Sequence, residues 1–140
     1  MIRALKIGLP LLLIIGGLLA FKFLTPKGPI DILAAPTEIT INAGTLYAAF
    51  EADEAAANSK YVGKVIEVSG MLSEMSKNEA GQYSLNLGAD SMLGQVVCNL
   101  SNTNPAQTKA ASIGQSITVK GLCTGYLFDV VLDNSAIISK

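Results

Sequence analysis

The sequence contains no histidine and no tryptophan, and charged residues make up only 15% of its 140 positions. Without histidine, the Ser-His-Asp and Cys-His triads, an imidazole base near neutral pH and a histidine-based metal site are all excluded. Arginine occurs once, at Arg3, so the rest of the chain lacks the side chain that makes two-point contacts to phosphate and guanine. We therefore expect no cofactor, no metal and no catalytic residues, and predict that the protein is not an enzyme.

The acidic side chains all lie from Asp31 onward. This part of the chain carries eleven carboxylates and six lysines, a net charge of −5, whereas the whole chain has a net charge of −1. The difference arises because Arg3, Lys6, Lys22 and Lys27 cluster around an apolar segment. An acidic domain repels a phosphate backbone. We therefore expect a protein or a glycan as the partner, and not a nucleic acid.

Much of the chain's excess of apolar residues lies within residues 7–24, where Lys22 carries the single charge. A bilayer core needs roughly 20 apolar residues, so this segment is predicted to be an uncleaved transmembrane signal anchor. A cleaved signal peptide is the alternative, although no A-x-A cleavage site follows the segment. A lipoprotein is excluded because the first cysteine, Cys98, lies far beyond it. The basic side chains within residues 1–6 predict a cytoplasmic N-terminus and a single-pass membrane protein whose C-terminal domain is extracytoplasmic.

The folded domain is predicted to cover residues 45–140. Residues 25–44 contain three prolines and two glycines and are therefore interpreted as a linker. The first element of the domain is a helix from Thr45 to Lys60, rich in alanine and glutamate. A spacing of three and four residues predicts one mostly apolar stripe on this helix. Its members are Leu46, Ala49, Phe50, Asp53 and Ala57.

After the helix the hydrophobic period changes from 3.6 to 2, which predicts a mainly β domain. Strands are expected over residues 64–74, 82–87, 95–101, 115–123 and 127–138. A short helix lies between the third and fourth strands, beginning at Pro105 with Asn104 as its cap. This order is the connectivity of the OB-fold, a five-stranded Greek-key barrel, and a split β-sandwich is the alternative. Gly70 and Gly121 fit the strand bends at barrel corners.

Four segments carry a resemblance to a known family. They are residues 50–57 (FEADEAAA), 61–70 (YVGKVIEVSG), 97–100 (VCNL) and 114–125 (GQSITVKGLCTG). Through them the stretch Tyr47–Ile138 resembles the tRNA_anti-like family of bacterial OB-fold domains, which carry an N-terminal membrane or lipoprotein signal. The resemblance implies the barrel and a periplasmic or cell-surface location. The acidic charge, the absence of histidine and the absence of a nucleophile–base pair lead us to expect a membrane-anchored binding or assembly module of unknown ligand. Binding of single-stranded nucleic acid or tRNA, which the fold alone suggests, is the alternative.

The two cysteines, Cys98 and Cys123, both fall on predicted inward faces. An extracytoplasmic location favours a disulfide between them. Two separate buried thiols are the alternative, since cysteine is common as a small core residue. In the OB topology the third and fourth strands are not neighbours, so a disulfide would have to cross the barrel or form near a strand end.

No exposed aromatic platform for stacking bases is evident. Tyr83 and Phe128 are in phase with core positions and are predicted to be buried, and Tyr126 is expected to be exposed at a strand end. The usual ligand face of the fold lies on the second and third strands, where polar, uncharged side chains are predicted to point outward. Ordinary solvated surface is the alternative to a binding face. The candidate binding residues are Ser84, Asn86, Gln95, Asn99 and Tyr126.

Overall fold

The computed structural model describes residues 30–88, 94–101 and 105–140. Asp31–Lys140 forms one compact unit, which contains all the elements described below. The predicted signal anchor at residues 7–24 and the predicted helix cap Asn104 lie outside the described residues. Within these described ranges, no helix has the length and apolar character needed to cross a bilayer. The elements are β1 (Ile39–Asn42), α1 (Ala43–Ala52), α2 (Glu54–Tyr61), β2 (Val65–Lys77), β3 (Tyr83–Gly88), β4 (Gln95–Leu100), α3 (Pro105–Ala110), β5 (Ser116–Leu127) and β6 (Asp129–Ser139).

Five of the strands form a closed barrel. Their order is β2-β3-β4-β6-β5, and an additional pairing of β2 with β5 closes the sheet. The pairing of β4 with β6 is parallel, and the other four pairings in the barrel are antiparallel. This is the connectivity of the OB-fold, so the predicted mainly β class and barrel topology are confirmed. The split sandwich is excluded because β2 pairs with both β3 and β5.

The barrel core follows the period-2 pattern of the sequence. Along β3 and β4 buried apolar side chains alternate with half-buried ones that are mostly polar, Val97 being the apolar exception, because successive side chains of a strand point to opposite faces. Both cysteines belong to this core. Core residues contributed by the five strands include Leu72, Leu85, Leu87, Val96, Cys98, Ile117, Val119, Cys123, Val130 and Leu132.

The single helix predicted over residues 45–60 is two helices that meet at Asp53. The Asp53 backbone is extended, with φ −156° and ψ 94°, and its carboxylate accepts a hydrogen bond from Ala56 N at 3.1 Å. Aspartate is a preferred N-cap because its side chain satisfies a backbone N–H of the first turn. The placement of Asp53 in the apolar stripe was therefore wrong. Leu46 and Phe50 of that stripe are buried in the core.

Residues 31–42, predicted to be part of a linker, are instead packed onto the barrel. Ile32 is fully buried beside Val65 and Ala136. Lys120 is also buried, and its Nζ donates a hydrogen bond to the Ala35 carbonyl oxygen. Strand β1 continues this segment and pairs in parallel with β2. The folded unit therefore begins near residue 31, and not at residue 45.

The β5–β6 turn corrects a third prediction. Phe128 was expected in the core, but it is 83% exposed and adopts a φ of 63° at the turn. Leu127 beside it is 80% exposed. The pairing of β5 with β6 also contains three register shifts, which change the side-chain phase along β6. Ile137 is consequently buried, whereas Ile138, predicted to be in phase with the core, is 37% exposed.

Candidate ligand-binding face

Four of the five candidate binding residues lie together on the outer face of β3 and β4. Ser84 is directly opposite Asn99 in the β3–β4 register, and Asn86 is opposite Val97. These side chains and that of Gln95 are half-buried, and they alternate with core residues on both strands. The structure therefore brings the predicted polar set into one continuous surface.

A chain of hydrogen bonds crosses four strands on this face. The Ser84 hydroxyl donates to Asn99 Oδ1, and Asn99 Nδ2 donates to Asp133 Oδ1 at 2.8 Å. Thr124 Oγ1 donates to the second oxygen, Asp133 Oδ2, at 3.2 Å. We call these four residues the polar ladder. Their mutual bonds fix the orientation of the side-chain amide and carboxylate.

Two further carboxylates bond to the same face. Asn86 Nδ2 donates to Glu74 Oε2 at 3.2 Å, and Gln95 N donates to Asp129 Oδ1 at 2.9 Å. Each of these carboxylates therefore accepts a hydrogen bond from the face: Glu74 from the side-chain amide of Asn86, and Asp129 from the backbone N–H of Gln95. Within residues 30–88, 94–101 and 105–140, no group of three or more potential metal-ligating side chains is arranged to hold a metal ion.

A groove of about 480 Å³ opens beside the polar ladder, where β2 turns into β3. We call it the β2–β3 groove. Most of its lining consists of uncharged side chains that carry amides or hydroxyls, and the charged side chains in the lining are one lysine and one aspartate. The lining residues are Ser76, Lys77, Asn78, Gln82, Tyr83, Ser84, Asn99, Leu100, Ser101, Asp133 and Asn134.

Sequence reasoning missed most of this groove. Among the lining residues, strand alternation identified Ser84 and Asn99 as binding residues, and no pattern in the sequence assigned Asn78 or Gln82 to the site. Asp133 and Asn134 come from β6, more than 50 positions later in the chain, and only the parallel β4–β6 register brings them beside β4. A single sequence does not specify that register, so these two residues could not be assigned to the site.

Tyr126 does not belong to the polar face. It is half-buried and its ring stacks on Phe50, with centroids 5.5 Å apart, and contacts Tyr47 edge-on at 6.0 Å. The prediction that Tyr126 is exposed was therefore wrong, and a role for it in binding stays a prediction. A side-chain hydrogen bond with Tyr126, together with burial, raises the pKa of Tyr47 from 10.0 to about 12. This aromatic contact joins α1 to the end of β5 and has a structural role.

The raised pKa of Tyr47 predicts a loss of stability in alkali. The folded state favours the neutral phenol, so the stabilisation is complete below pH 10.0 and is lost as the pH rises toward about 12. In denaturant titrations at about pH 9 and about pH 11, Tyr47→Phe should lose less stability between the two conditions than the native chain. Equal losses in the two proteins would show that Tyr47 does not titrate with folding.

The disulfide expected between Cys98 and Cys123 is not formed, and both thiols are free and buried. Cys98 and Cys123 are paired to the same residue, Leu132, from opposite sides of β6. Two strand spacings amount to roughly 9.5 Å, whereas a disulfide requires Cα atoms within about 7 Å. Burial raises the pKa of the Cys98 thiol well above its usual range and that of Cys123 to about 11. Both thiols are therefore expected to be unreactive.

This thiol assignment can be checked by mass spectrometry of the full chain. Iodoacetamide should add nothing under native conditions and should alkylate both cysteines after denaturation without reductant, because burial and a raised pKa suppress the thiolate. Two adducts that appear only after denaturation with a reductant would demonstrate the disulfide instead.

Comparison with known proteins bears on the fold and the family. The model of the tRNA_anti-like family matches residues 13–137. No curated protein matches the chain. A solved structure from Klebsiella pneumoniae subsp. pneumoniae MGH 78578, provisionally named a nucleic acid-binding lipoprotein, is similar with a TM-score of 0.59 at 21% identity. The match covers 79% of this chain and 99% of that one. At this level of identity the likeness shows a shared fold.

Proposed function

Because this chain belongs to the tRNA_anti-like family, with an OB barrel as its folded unit, we propose that it is a non-catalytic ligand-binding module. The barrel would be held at a membrane outside the cytoplasm. Its ligand would bind on the outer face of β3 and β4, which is the surface that OB-folds commonly use for oligonucleotides and oligosaccharides. A fold alone does not determine function, so the proposal depends on the composition of this face.

The observation that carries the proposal is the polar ladder. Amide and hydroxyl groups of a solvated surface need no partners among themselves, yet here Asn99 is held between Ser84 and Asp133. Side chains whose orientation is fixed before binding lose less conformational freedom when a ligand is bound. The adjoining groove provides a concave surface next to these groups.

A non-catalytic role is supported by the surroundings of the carboxylates and the thiols, which are the potentially reactive groups. Both oxygens of Asp133 accept hydrogen bonds from the polar ladder. Asp129 accepts a backbone hydrogen bond, and Glu74 accepts one from Asn86. Both cysteines are buried with raised pKa values, which disfavours the nucleophilic thiolate. The sequence contains no histidine to act as a base.

An extracytoplasmic location is supported by two observations. The apolar segment at residues 7–24 is preceded by Arg3 and Lys6, and basic residues favour the cytoplasmic side. The similar Klebsiella structure is provisionally named a lipoprotein. In this chain a signal anchor would take the place of a lipid, since no cysteine lies directly after the apolar segment and the first one is Cys98.

Site-specific photo-crosslinking in living cells tests the proposed function. A benzophenone amino acid replaces Asn86, on the polar face, in the full chain. The matched control replaces Asn58, which is exposed on α2 and distant in sequence from the face. We expect a discrete crosslinked species from position 86 and none from position 58. No species from position 86, or the same species from both positions, would contradict a ligand-binding role for this face.

Binding of single-stranded nucleic acid or tRNA is the second candidate function. It is favoured by the provisional name of the Klebsiella structure and by the exposed Phe128 ring, which lies on one of the turns that OB-folds use for ligands. Against it, the chain from Asp31 onward has a net charge of −5 and lacks arginine. Nucleic-acid binding depends strongly on cationic side chains that displace counterions from phosphates.

A further inference from the structure

The β2–β3 groove has a composition that indicates one class of ligand. We infer that it binds a short segment of a neutral glycan. The inference rests on the proposed function, because it places the ligand at one end of the binding face. A volume of about 480 Å³ lies within the range of small-molecule sites, roughly 300–1,000 Å³. The groove can therefore hold a few linked units of a chain whose remainder extends along the face.

The hydrogen-bonding groups of the lining match sugar hydroxyls. Asn78, Gln82 and Asn99 each keep a donor hydrogen and an acceptor lone pair beyond their own hydrogen bonds. The Ser76 hydroxyl offers a donor and an acceptor, whereas the Ser101 hydroxyl donates to Asn134 Oδ1 and offers an acceptor. A sugar hydroxyl also donates and accepts. A polyhydroxylated ring therefore finds complementary partners on such a lining, whatever the orientation of an individual hydroxyl.

The charges of the lining disfavour an anionic ligand. Lys77 is the cation of the groove, and its Nζ lies over the ring of Tyr83, 5.2 Å from the centroid. Asp133 is the anion, and it already accepts hydrogen bonds at both oxygens. One charge of each sign leaves the lining neutral overall. A phosphate chain would be attracted by Lys77 and repelled by Asp133, with no net electrostatic gain. Binding of a neutral chain does not depend on the charge of the lining.

A peptide or protein partner is also a poor match for the groove. At the groove Ser84 of β3 is paired on both sides, with Ser76 of β2 and with Asn99 of β4, so β3 presents no free edge here for an added strand. Protein interfaces depend on apolar and aromatic anchors. The apolar residue of the lining, Leu100, is 4% exposed, and the Tyr83 ring is partly covered by Lys77.

The turn that borders the groove is held in place before any ligand binds. Gln82 N donates to Asn78 Oδ1 at 2.9 Å, and Asn78 Nδ2 donates to Gln82 Oε1 at 3.1 Å. Gly81 between them has a φ of 84°, a conformation that glycine adopts without steric cost. The groove is therefore bordered by fixed polar groups on the turn and on the polar ladder.

Amide chemical shifts of the ¹⁵N-labelled full chain test the inference. The protein is kept in a zwitterionic detergent without a sugar headgroup and titrated with neutral oligosaccharides of hexose and of N-acetylhexosamine units. We expect saturable shifts that cluster at the groove, around Asn78, Ser101 and Asn134, and that do not change with salt. Gln82→Ala should weaken this binding about fivefold, the loss of one neutral hydrogen bond. Asn58→Ala is the matched control, since Asn58 is exposed on α2, outside both the groove and the face, and it should leave binding unchanged. Gln95→Ala probes the part of the face that lies outside the groove.

The other outcomes separate this inference from the proposed function. If a sugar binds and is weakened by Gln95→Ala but not by Gln82→Ala, the face is a binding surface and the groove is not the glycan site. If no neutral oligosaccharide shifts the groove signals while position 86 still yields a crosslinked partner, the glycan inference is overturned and the binding function stands. If no oligosaccharide binds and position 86 yields no crosslinked species, both the glycan inference and the proposed binding function are contradicted.

Discussion

Replacing Phe50 with alanine lowers the free energy of unfolding by about 4 kcal/mol, because a large aromatic side chain is lost from a close-packed core. Phe50 is 1% exposed. Its ring lies 5.5 Å from the ring of Tyr126 and 5.9 Å from that of Tyr61, so it contacts side chains from both α2 and β5. Removing it leaves a cavity between the helices and the barrel that neighbouring side chains fill only in part.

The matched control is the same substitution at Phe128. This side chain is 83% exposed, so Phe128→Ala should change stability by less than about 0.5 kcal/mol. Denaturant titration of the full chain, followed by circular dichroism, measures both variants. Comparable losses for the two substitutions would mean that Phe50 is not packed between helix and barrel as described, or that the β5–β6 turn is buried.

Replacing Gly121 with alanine should lower the free energy of unfolding by about 3 kcal/mol, at the upper end of the cost of overpacking. A Cβ atom at this position would lie 2.2 Å from Ser135 Oγ and 3.1 Å from Ser135 Cβ. Ser135 is fully buried, and its hydroxyl donates to the Leu132 carbonyl oxygen at 3.2 Å. The glycine is required by the close approach of β5 to β6, since its own backbone is not in the left-handed region.

Two companion variants make this prediction specific. Gly88→Ala places a Cβ no closer than 3.6 Å to any neighbour, an ordinary contact, and should change stability by less than about 1 kcal/mol. Ser135→Gly, combined with Gly121→Ala, removes both of the closest contacts and should recover part of the loss. If Gly121→Ala is no more damaging than Gly88→Ala, or if Ser135→Gly gives no recovery, the strands are not packed in this way.

The strands and the barrel order could be predicted because their signal is local. Alternating apolar residues identify Leu85 and Leu87 on β3, and Val96 and Cys98 on β4, as core positions, and all four are buried. Such alternation persists only where one face of a strand is covered. The sequence order of strands and helices then leaves few topologies, and the OB barrel is one of them.

The errors arose where tertiary contacts override the local pattern. Phe128 fits an alternating pattern with Val130 and Leu132, but a φ of 63° turns the chain at this residue and exposes the ring. Residues 31–42 are predicted to belong to the linker because they closely follow Pro26, Gly28 and Pro29 and include Pro36. Only the position of Val65 and Ala136 on the barrel reveals that Ile32 has a buried surface to cover.

The candidate site was predictable in part for the same reason. Ser84, Asn86, Gln95 and Asn99 were identified from strand alternation, which the sequence displays directly. Their partners Asp133 and Thr124 depend on the register of strands distant in the chain. Tyr126 could not be placed because its partners, Tyr47 and Phe50, belong to a helix that precedes the barrel.

The measurement that most directly separates the two candidate functions is a salt titration with nucleic acid. Fluorescently labelled single-stranded DNA and tRNA are mixed with the full chain at low salt, and anisotropy is followed as protein and then salt are increased. The net charge of −5 from Asp31 onward and the absence of arginine there predict no saturable binding even at low salt. Micromolar binding that weakens steeply as salt is added would contradict the proposal that the face on β3 and β4 binds an uncharged partner.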